Sequence, residues 1–284
     1  MNRGVSLGFV YVASRPSYVE EAARSWSTVR RHHPGVEAVL TTDCPDLAAA
    51  LLPDITVRVL ENPQRHHADK ILPLADSPFE RTIFLDTDVQ VTGPLDDLFQ
   101  MLERYDLLVA RDPWGHHVPG TPATVRQYNT GLLAYRTAPN VQAFFRAWAA
   151  DYDRLFAKRG RVPGLDQYSF QRQLHASSLR WYLLSAEYNF RTIAPGYLRY
   201  GERVVALHGR QDDLRRVGAR LNRHADRFRL YCPNLEALAA MEVVFPSARE
   251  ERVFRLCLWP IKTALRLGHA ASTGWRVLRG KSGR

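Results

Sequence analysis

The sequence contains only three cysteines, and this scarcity argues against the protein classes that depend on them. Cys44, Cys232 and Cys257 are widely separated, and no two of them form a Cys-x-x-Cys pair. A small, odd number of scattered cysteines is not typical of a disulfide framework or of a structural zinc site. We therefore expect a reduced, cytoplasmic compartment for this protein.

Long apolar runs are also missing. No run of 18 or more apolar residues occurs, so we expect no segment that spans a bilayer. The first four residues lead at once into a short apolar segment without a small-residue cleavage site, which predicts a first strand rather than a signal peptide. At 284 residues, with 45% hydrophobic and 11% aromatic residues, the chain can bury a large globular core.

Acidic residues are absent from the C-terminal segment 253–284, which carries seven lysines and arginines and so most of the formal net charge of +10. Its apolar residues include Trp259 and Trp275. A basic amphipathic segment with tryptophan is typical of a helix lying on an anionic membrane, and a packed C-terminal helix is the alternative. We predict that this tail binds the cytoplasmic face of an anionic membrane peripherally. Because the basic residues concentrate there, and no nucleic-acid-binding signature occurs, we expect no nucleic-acid partner.

Strand and helix patterns alternate along most of the chain. The strand patterns lie at Val5–Val12, Val36–Leu40, Ile55–Leu60, Thr82–Leu85, Asp106–Ala110, Leu132–Tyr135, Trp181–Leu184 and Arg203–Leu207. The helix patterns lie at Pro16–Arg31, Pro45–Leu51, Leu72–Asp76, Asn140–Phe156 and Leu165–Leu174. This alternation predicts an α/β fold, with a mainly parallel sheet covered on both faces and ligands at the carboxyl ends of its strands. We predict a catalytic domain at 1–212, a helical extension at 213–252 and a basic helical tail at 253–284.

The stretch FLDTDVQV places two carboxylates directly after an apolar strand. Asp86 and Asp88 are separated by one residue, so both can reach one hard divalent cation such as Mg²⁺ or Mn²⁺. The ordinary alternative is an aspartate that stabilises the turn after the strand. Because the preceding strand is fully apolar, and a helix start follows at Gly93-Pro94, we favour a metal site.

The same stretch resembles the D-x-D signature of GT-A-fold glycosyltransferases, which use nucleotide-sugar donors. The closest resemblance is to the retaining group that contains glycogenin and the bacterial lipopolysaccharide galactosyltransferases. Four further matches occur in the chain order of this group, over about residues 5 to 210: ADKILPL before the D-x-D stretch, and YNTGLLAY, GLDQYSF and ALHGR after it. The resemblance implies a Rossmann-like sheet of the GT-A type and a metal-dependent hexosyltransferase. Its implied partners are a UDP-sugar donor and a glycan or lipid-linked acceptor.

The resemblance also implies roles for the residues that match its motifs. The implied metal ligands, for Mn²⁺ or Mg²⁺, are Asp86, Asp88 and His208. The implied catalytic pair is Asp166, which would recognise the sugar, and Gln167, which would face the anomeric carbon. The implied donor-binding residues are Lys70, Asp86, Thr87, Asp88, Asn129, Thr130, Gly131, Gly209 and Arg210. Such a cation would neutralise the charge that develops on the leaving diphosphate.

Ordinary structural roles remain open for several of these residues. His208 could be a hydrogen-bonded core histidine, and Lys70 and Arg210 could form surface salt bridges. Asn129 to Gly131 could be a turn that opens a strand, and Asp166 could cap a helix. An alternative function is a nucleotide-sugar-binding or nucleotidyl-transfer protein, although the Gly-rich basic loop expected after the first strand of a pyrophosphorylase is absent. We interpret the adjacent histidine pairs at 32–33, 66–67 and 116–117 as surface residues.

Overall fold

A seven-stranded mixed β-sheet forms the centre of the fold. The computed structural model describes residues 5–160, 166–211, 213–241, 246–257, 259–261, 263, 264 and 267. The strands are β1 (Leu7–Ala13), β2 (Glu37–Thr42), β3 (Thr56–Val59), β4 (Arg81–Leu85), β5 (Val89–Val91), β6 (Leu107–Arg111), β7 (Tyr128–Arg136), β8 (Trp181–Leu184), β9 (Phe190–Arg191), β10 (Gly196–Leu198), β11 (Ala206–His208) and β12 (Arg229–Tyr231). The strand order of the large sheet is β3-β2-β1-β4-β7-β6-β8.

Residues 248–257 are helical, and eight further α-helices lie earlier in the described part of the chain. They are α1 (Pro16–His32), α2 (Pro45–Leu51), α3 (Ile71–Ala75), α4 (Asp96–Met101), α5 (Pro139–Arg159), α6 (Gln167–Ala176), α7 (Leu214–Arg223) and α8 (Leu235–Ala240). Two short 3₁₀ helices lie at His67–Lys70 and Ala186–Asn189. Within the described residues, every helix is too short or too polar to be a transmembrane span.

Most neighbouring strands of the large sheet are parallel, as the alternating pattern predicts. Strands β1, β2, β3 and β4 are parallel neighbours, and β6 is parallel to β8. The exception is β7, which runs antiparallel to both β4 and β6. The predicted α/β class with a mostly parallel, helix-flanked sheet is therefore confirmed. Because β7 is reversed, its first residues lie beside the carboxyl end of β4, where the candidate ligands are.

Two hydrophobic clusters are formed from side chains that alternate along the strands. One contains Phe9, Tyr11, Ile83 and Leu85 and packs with residues of α1, α2 and α4. The other contains alternate residues such as Phe84 and packs with residues of α3, α5 and α6. The sheet thus has a core on each face, which fixes the register of its strands because a one-residue slip would expose both cores.

The chain divides into two compact units. The first contains the described residues within 1–192 and 198–229, and the second those within 193–197 and 230–284. The large sheet, α1 to α7 and the candidate ligands all belong to the first unit. The predicted division at 212 and 252 stays a prediction. Most of the basic tail predicted at 253–284, including Trp275, lies outside the described residues.

One of the histidine pairs differs from the prediction of a surface location. His33 is buried, its imidazole lies 5.4 Å from the ring of Phe9, and its Nε2 accepts a hydrogen bond of 3.0 Å from the backbone NH of Leu95. It therefore links α1 to the start of α4 as a structural residue. His66 is half-buried and stacks on the rings of Tyr152 and Phe156.

Candidate active site

Two neighbouring strands bring their polar residues to the same edge of the sheet. Asp86 follows the last residue of β4, and its backbone NH donates a hydrogen bond of 2.8 Å to the carbonyl of Gly131 in β7. Asn129 and Thr130 precede Gly131 in the same strand and are almost completely buried. They therefore lie inside a strand beside Asp86, so the alternative of a strand-opening turn is wrong.

A second, three-stranded sheet brings His208 to the two aspartates. Its order is β5-β11-β9, and His208 in β11 lies opposite Val89 in antiparallel β5. The backbone NH of Gly209 donates a hydrogen bond of 3.1 Å to the carbonyl of Asp88. A Cβ atom on Gly209 would lie 2.1 Å from Oγ1 of Thr192, so only glycine allows the backbone at residue 209 to lie this close to Thr192.

Asp86, Asp88 and His208 form a group that could hold a metal ion. One ligand atom from each residue lies within 4.8 Å of the others. Nε2 of His208 is 3.3 Å from Oδ1 of Asp88 and 4.0 Å from Oδ2 of Asp86. Neighbouring ligands of an octahedral ion at about 2.1 Å from the metal lie about 3 Å apart, so small side-chain shifts suffice.

A chain of amide hydrogen bonds fixes the orientation of the His208 ring. Asn129 Oδ1 accepts hydrogen bonds from the backbone NH of Gly131 at 2.9 Å and from Nδ2 of Asn189 at 2.7 Å. Because Nδ2 of Asn189 is the donor, its Oδ1 must accept at the other end, and it lies 2.9 Å from Nδ1 of His208. Nδ1 therefore carries a proton, and Nε2 is the ring nitrogen that faces the aspartates, as in a metal-binding histidine.

Gly131 is required by the position of this ring. A Cβ atom at residue 131 would lie 2.0 Å from Cε1 and 2.5 Å from Nδ1 of His208. The structure thus gives Gly131 and Asn129 roles in supporting the histidine, and direct contact with a donor stays a prediction for both.

Gly131→Ala is expected to remove binding of a divalent cation and to destabilise the protein by about 1–3 kcal/mol, because the added methyl group must push His208 aside. The matched control is Gly93→Ala, since a Cβ atom there would meet its nearest neighbour at an ordinary 3.5 Å. Titration with Mn²⁺ and urea denaturation measure the two effects. Wild-type Mn²⁺ affinity in Gly131→Ala would contradict this account of the site.

Lys70 links the aspartate pair to the start of α6. Its ammonium group lies 3.1 Å from Oδ1 of Asp86 and 3.1 Å from Oδ2 of Asp166, and donates to Oγ1 of Thr130 at 3.2 Å. Oγ1 of Thr130 donates to Oδ2 of Asp166 at 2.5 Å. The Asp166 side chain makes no hydrogen bond that caps α6, so the helix-cap alternative is wrong. The surface salt bridge considered for Lys70 is also wrong, because Lys70 and its partner Asp166 are both buried.

The buried charges shift one another's pKa values. Burial opposes the charge of Lys70, but the carboxylates of Asp166 and Asp86 overcome it and raise the pKa of Lys70. Burial likewise opposes the charge of Asp166, yet Lys70 and His67 lower the pKa of that carboxyl. The pKa of Asp88 is lowered despite burial, chiefly by the hydrogen bond and charge of His208, with Arg210 and Arg191 contributing. The site thus favours the ionised forms of Asp88 and Asp166.

Glu21 of α1 is a residue that the sequence analysis missed, and it links two predicted donor-binding residues. Thr87 Oγ1 donates to Glu21 Oε2 at 2.7 Å, and Nε of Arg210 lies 3.0 Å from Glu21 Oε1. Arg210 also lies 3.8 Å from Oδ2 of Asp88, and its guanidinium is 5.4 Å from the centre of the Tyr18 ring. Arg210 is therefore an exposed cation at the rim, held by two carboxylates.

Asn189 and Arg191 are further site residues that the sequence analysis missed. They belong to a 3₁₀ helix and to a two-residue strand, and neither element has a detectable periodicity. The only available signal was their distance of about 20 residues before His208, which does not by itself predict that β9 pairs with β11.

A cleft of ≈ 340 Å³ joins these groups. Its lining includes the metal-ligand group, Lys70, Thr87, Asn129, Thr130, Asp166, Gln167, Arg191, Arg210, Tyr18, Ser14 and His67. Of the predicted site residues, only the glycines at 131 and 209 do not line it. A larger depression of ≈ 540 Å³ lies at the amino ends of β2 and β3, and two of its charged residues, Arg30 and Asp54, form an ion pair with each other. The concentration of charged and hydrogen-bonding groups therefore identifies the smaller cleft as the candidate active site.

Comparison of the chain with protein-family models and with curated proteins gives no match.

Proposed function

We propose that the protein is a metal-dependent glycosyltransferase with a GT-A-type sheet. It transfers a hexose from a nucleoside diphosphate sugar, with UDP as the nucleotide, to a glycan or lipid-linked acceptor, with retention at the anomeric carbon. The observation that carries the proposal is the convergence of Asp86, Asp88 and His208 at the carboxyl edge of a mostly parallel sheet, in one cleft with Lys70 and Arg210. Such edges are where open α/β sheets bind ligands.

The donor set supports Mn²⁺ or Mg²⁺ as the ion. Two carboxylates are hard ligands that both ions prefer, and the neutral imidazole of His208 is compatible with Mn²⁺. A bound ion would supply positive charge to the β-phosphate as the sugar leaves. In this scheme Asp86 and Asp88 bind the ion, while the amide chain through Asn189 holds the imidazole so that its lone pair points at it.

The remaining residues bind and orient the donor. Arg210 lies at the rim with freedom to turn from Glu21 to a phosphate, and the half-buried ring of Tyr18 offers a flat surface on which a base can stack. Asp166 stays ionised and bound to Lys70, so we assign it to recognition of sugar hydroxyl groups rather than to proton transfer. Gln167 begins α6 beside it and faces the sugar with an uncharged amide.

A lipid-linked acceptor is consistent with a peripheral, cytoplasmic location. We propose that the basic tail at 253–284 holds the protein at the cytoplasmic face of an anionic membrane, where such acceptors are found. Each lysine or arginine near an anionic surface contributes about 1 kcal/mol, so seven such charges produce binding that salt weakens.

A screen of nucleotide-sugar hydrolysis with Mn²⁺ tests the proposed function. Transferases of this kind slowly hydrolyse their own donor when the acceptor is absent, so we expect one UDP-sugar to release UDP and free sugar in a reaction that EDTA stops. Formation of UTP and sugar 1-phosphate from the nucleotide sugar and added pyrophosphate, without release of UDP, would instead favour the alternative of nucleotidyl transfer. Binding of UDP without hydrolysis of any nucleotide sugar, even with added glycan and lipid-linked acceptors, would contradict the assignment of an enzyme.

A further inference from the structure

Helix α7 and the two residues after it carry several arginines and no acidic residue. The stretch 214–225 contains no aspartate or glutamate, and its exposed arginines are Arg215, Arg216, Arg220 and Arg223. Among the residues that the structure describes, the carboxylates that lie close to this stretch in the chain pair with other arginines: Asp226 with Arg227, and Glu202 with Arg199. The outer surface of α7 is therefore strongly positive.

The arginines and the buried residues of α7 lie on opposite faces of the helix. The buried residues, which are spaced four and three positions apart and so share one face, are Leu214, Gly218 and Leu221. At 3.6 residues per turn, the residues farthest from that stripe are on the opposite face. We call this opposite face the arginine face, and it consists of Arg216, Arg220 and Arg223.

Close packing holds α7 against the strand that carries His208. A Cβ atom on Gly218 would lie 2.8 Å from Cδ1 of Leu207 in β11 and 3.0 Å from Cγ2 of Thr92, so the helix backbone lies directly on these side chains. At the start of the helix, Oδ1 of Asp213 accepts a hydrogen bond of 2.9 Å from the backbone NH of Arg216. The arginine face therefore has a fixed position relative to the metal-ligand group.

The start of α7 also lies close to the candidate active site. Leu214, its first residue, follows Arg210 by four positions. Leu214 and Arg210 line a depression of ≈ 270 Å³ together with Asp88. A surface that binds the arginine face is therefore held at a set distance and angle from the cleft.

The chemistry of this face fits a surface made of many phosphate groups. Arginine binds a phosphate through two parallel hydrogen bonds, and three arginines on the outside of one helix suit an extended array of phosphates better than a single small ligand. The apolar residues of α7 are already packed against the protein, so the helix has no free apolar side to insert into lipid. Its attraction to a membrane would be electrostatic and weakened by salt.

Single-stranded nucleic acid is a less suitable partner for this face. Proteins that bind it usually combine positive charge with aromatic side chains on which the bases stack. The stretch 214–225 contains no phenylalanine, tyrosine or tryptophan.

We propose that the arginine face docks the first unit on an anionic membrane and sets the direction in which the cleft faces a lipid-linked acceptor. This docking surface is separate from the tail at 253–284, which belongs to the other unit. The inference rests on the proposed function for the acceptor, whereas the attraction between the arginine face and the membrane does not depend on glycosyl transfer.

Co-sedimentation of the full chain with vesicles of phosphatidylcholine and phosphatidylglycerol tests the docking surface. The double variant Arg216→Gln with Arg220→Gln keeps polar, helix-forming side chains but removes two charges. We expect its affinity for these vesicles to fall about 25-fold, because each arginine near an anionic surface contributes about fivefold. Arg216→Lys with Arg220→Lys keeps both charges and should stay within about threefold of the wild-type affinity.

The matched control is Arg31→Gln with Arg104→Gln. These two arginines are exposed and precede β2 and β6, so the control removes the same net charge from another part of the first unit. We expect its vesicle affinity to change by less than about threefold, since salt screens charges that lie far from the bound surface. Equal losses in the two glutamine variants would show an effect of net charge alone and would overturn the inference.

Two other results would also overturn the inference. One is unchanged vesicle binding by Arg216→Gln with Arg220→Gln. The other is a loss of binding to an RNA oligonucleotide in that variant while vesicle binding is retained, which would identify nucleic acid as the partner.

Donor hydrolysis without vesicles separates this inference from the proposed function. Neither Arg216 nor Arg220 lines the cleft, so their variants should hydrolyse the UDP-sugar at the wild-type rate. If the wild-type protein hydrolysed no nucleotide sugar, the proposed function would fail, and the comparison of vesicle affinities would still decide whether the arginine face binds a membrane.

Discussion

Asp88→Asn is expected to lower the rate of Mn²⁺-dependent donor hydrolysis by about 1000-fold, because a metal that stabilises the leaving group supplies several kcal/mol of the catalytic effect. The Asp88 side chain is only 12% exposed, and Oδ1 lies 3.3 Å from Nε2 of His208. Asparagine keeps this shape and size but removes the negative charge that a divalent ion requires. The loss should therefore appear in kcat and in Mn²⁺ affinity, with little change in the midpoint of thermal unfolding.

Asp226→Asn provides the control for loss of a carboxylate. Asp226 is exposed and lies near Arg227 rather than in the cleft, so its replacement should leave hydrolysis unchanged. If Asp88→Asn retained more than about half of the Mn²⁺-dependent rate, Asp88 would not be a ligand of an essential ion.

Lys70→Met is expected to lower the free energy of unfolding by about 3 kcal/mol, because removing one partner leaves a buried carboxylate unpaired. The Asp166 side chain is 3% exposed, and Lys70 is its cationic partner at 3.1 Å. The double variant Lys70→Met with Asp166→Asn should recover part of the loss, since it removes the stranded charge. Urea denaturation at pH 7 measures the free energy of unfolding of the wild-type protein, the single variant and the double variant.

The pH dependence should separate this electrostatic effect from loss of packing. In the wild-type protein the pKa of Asp166 is lowered, so its ion pair stabilises the fold at neutral pH and this contribution is lost as the pH falls through the lowered value. In Lys70→Met, burial without the lysine raises the pKa of Asp166, so acid protonates this carboxyl more readily. The difference in the free energy of unfolding between the variant and the wild-type protein should therefore become smaller as the pH falls. Arg146→Met breaks an exposed ion pair with Asp76 and should cost less than about 1 kcal/mol. If the loss of unfolding free energy in Lys70→Met did not change with pH, an unpaired buried charge on Asp166 would not be its cause.

The sequence predicts the large sheet well because its strands have strong local signals. The runs that become β1, β2 and β4 are apolar on both faces, and the structure shifts their ends by only a few residues. The reversed direction of β7 has no such signal, since a buried apolar strand has the same sequence pattern whether its neighbours are parallel or antiparallel. The short strands β5 and β9 have three and two residues, which is too few for any periodicity.

The candidate site shows the same division between local and distant information. Asp86 and Asp88 are detectable because they follow an apolar strand, and His208 because it ends a short apolar one. The pairing of Lys70 with Asp166, and of Arg191 with His208, depends on how separate elements pack, and no local pattern contains that information. The resemblance to a known motif order suggested Asp166 as a sugar ligand, whereas the structure shows it first as the buried partner of a lysine.

The spacing of the site residues along the chain has a consequence for the order of folding. Arg210 contacts Glu21 across 189 positions, and Lys70 contacts Thr130 across 60. Closing such long loops costs chain entropy, which the contacts made afterwards must offset. We therefore expect these contacts to form late in folding. During synthesis, Asp88 and His208 cannot meet until the ribosome has released the strand that carries the histidine. A metal ion that binds the complete site can therefore slow unfolding, but it cannot assist the early steps of folding. A truncated chain without β11 would lack the histidine of the metal-ligand group.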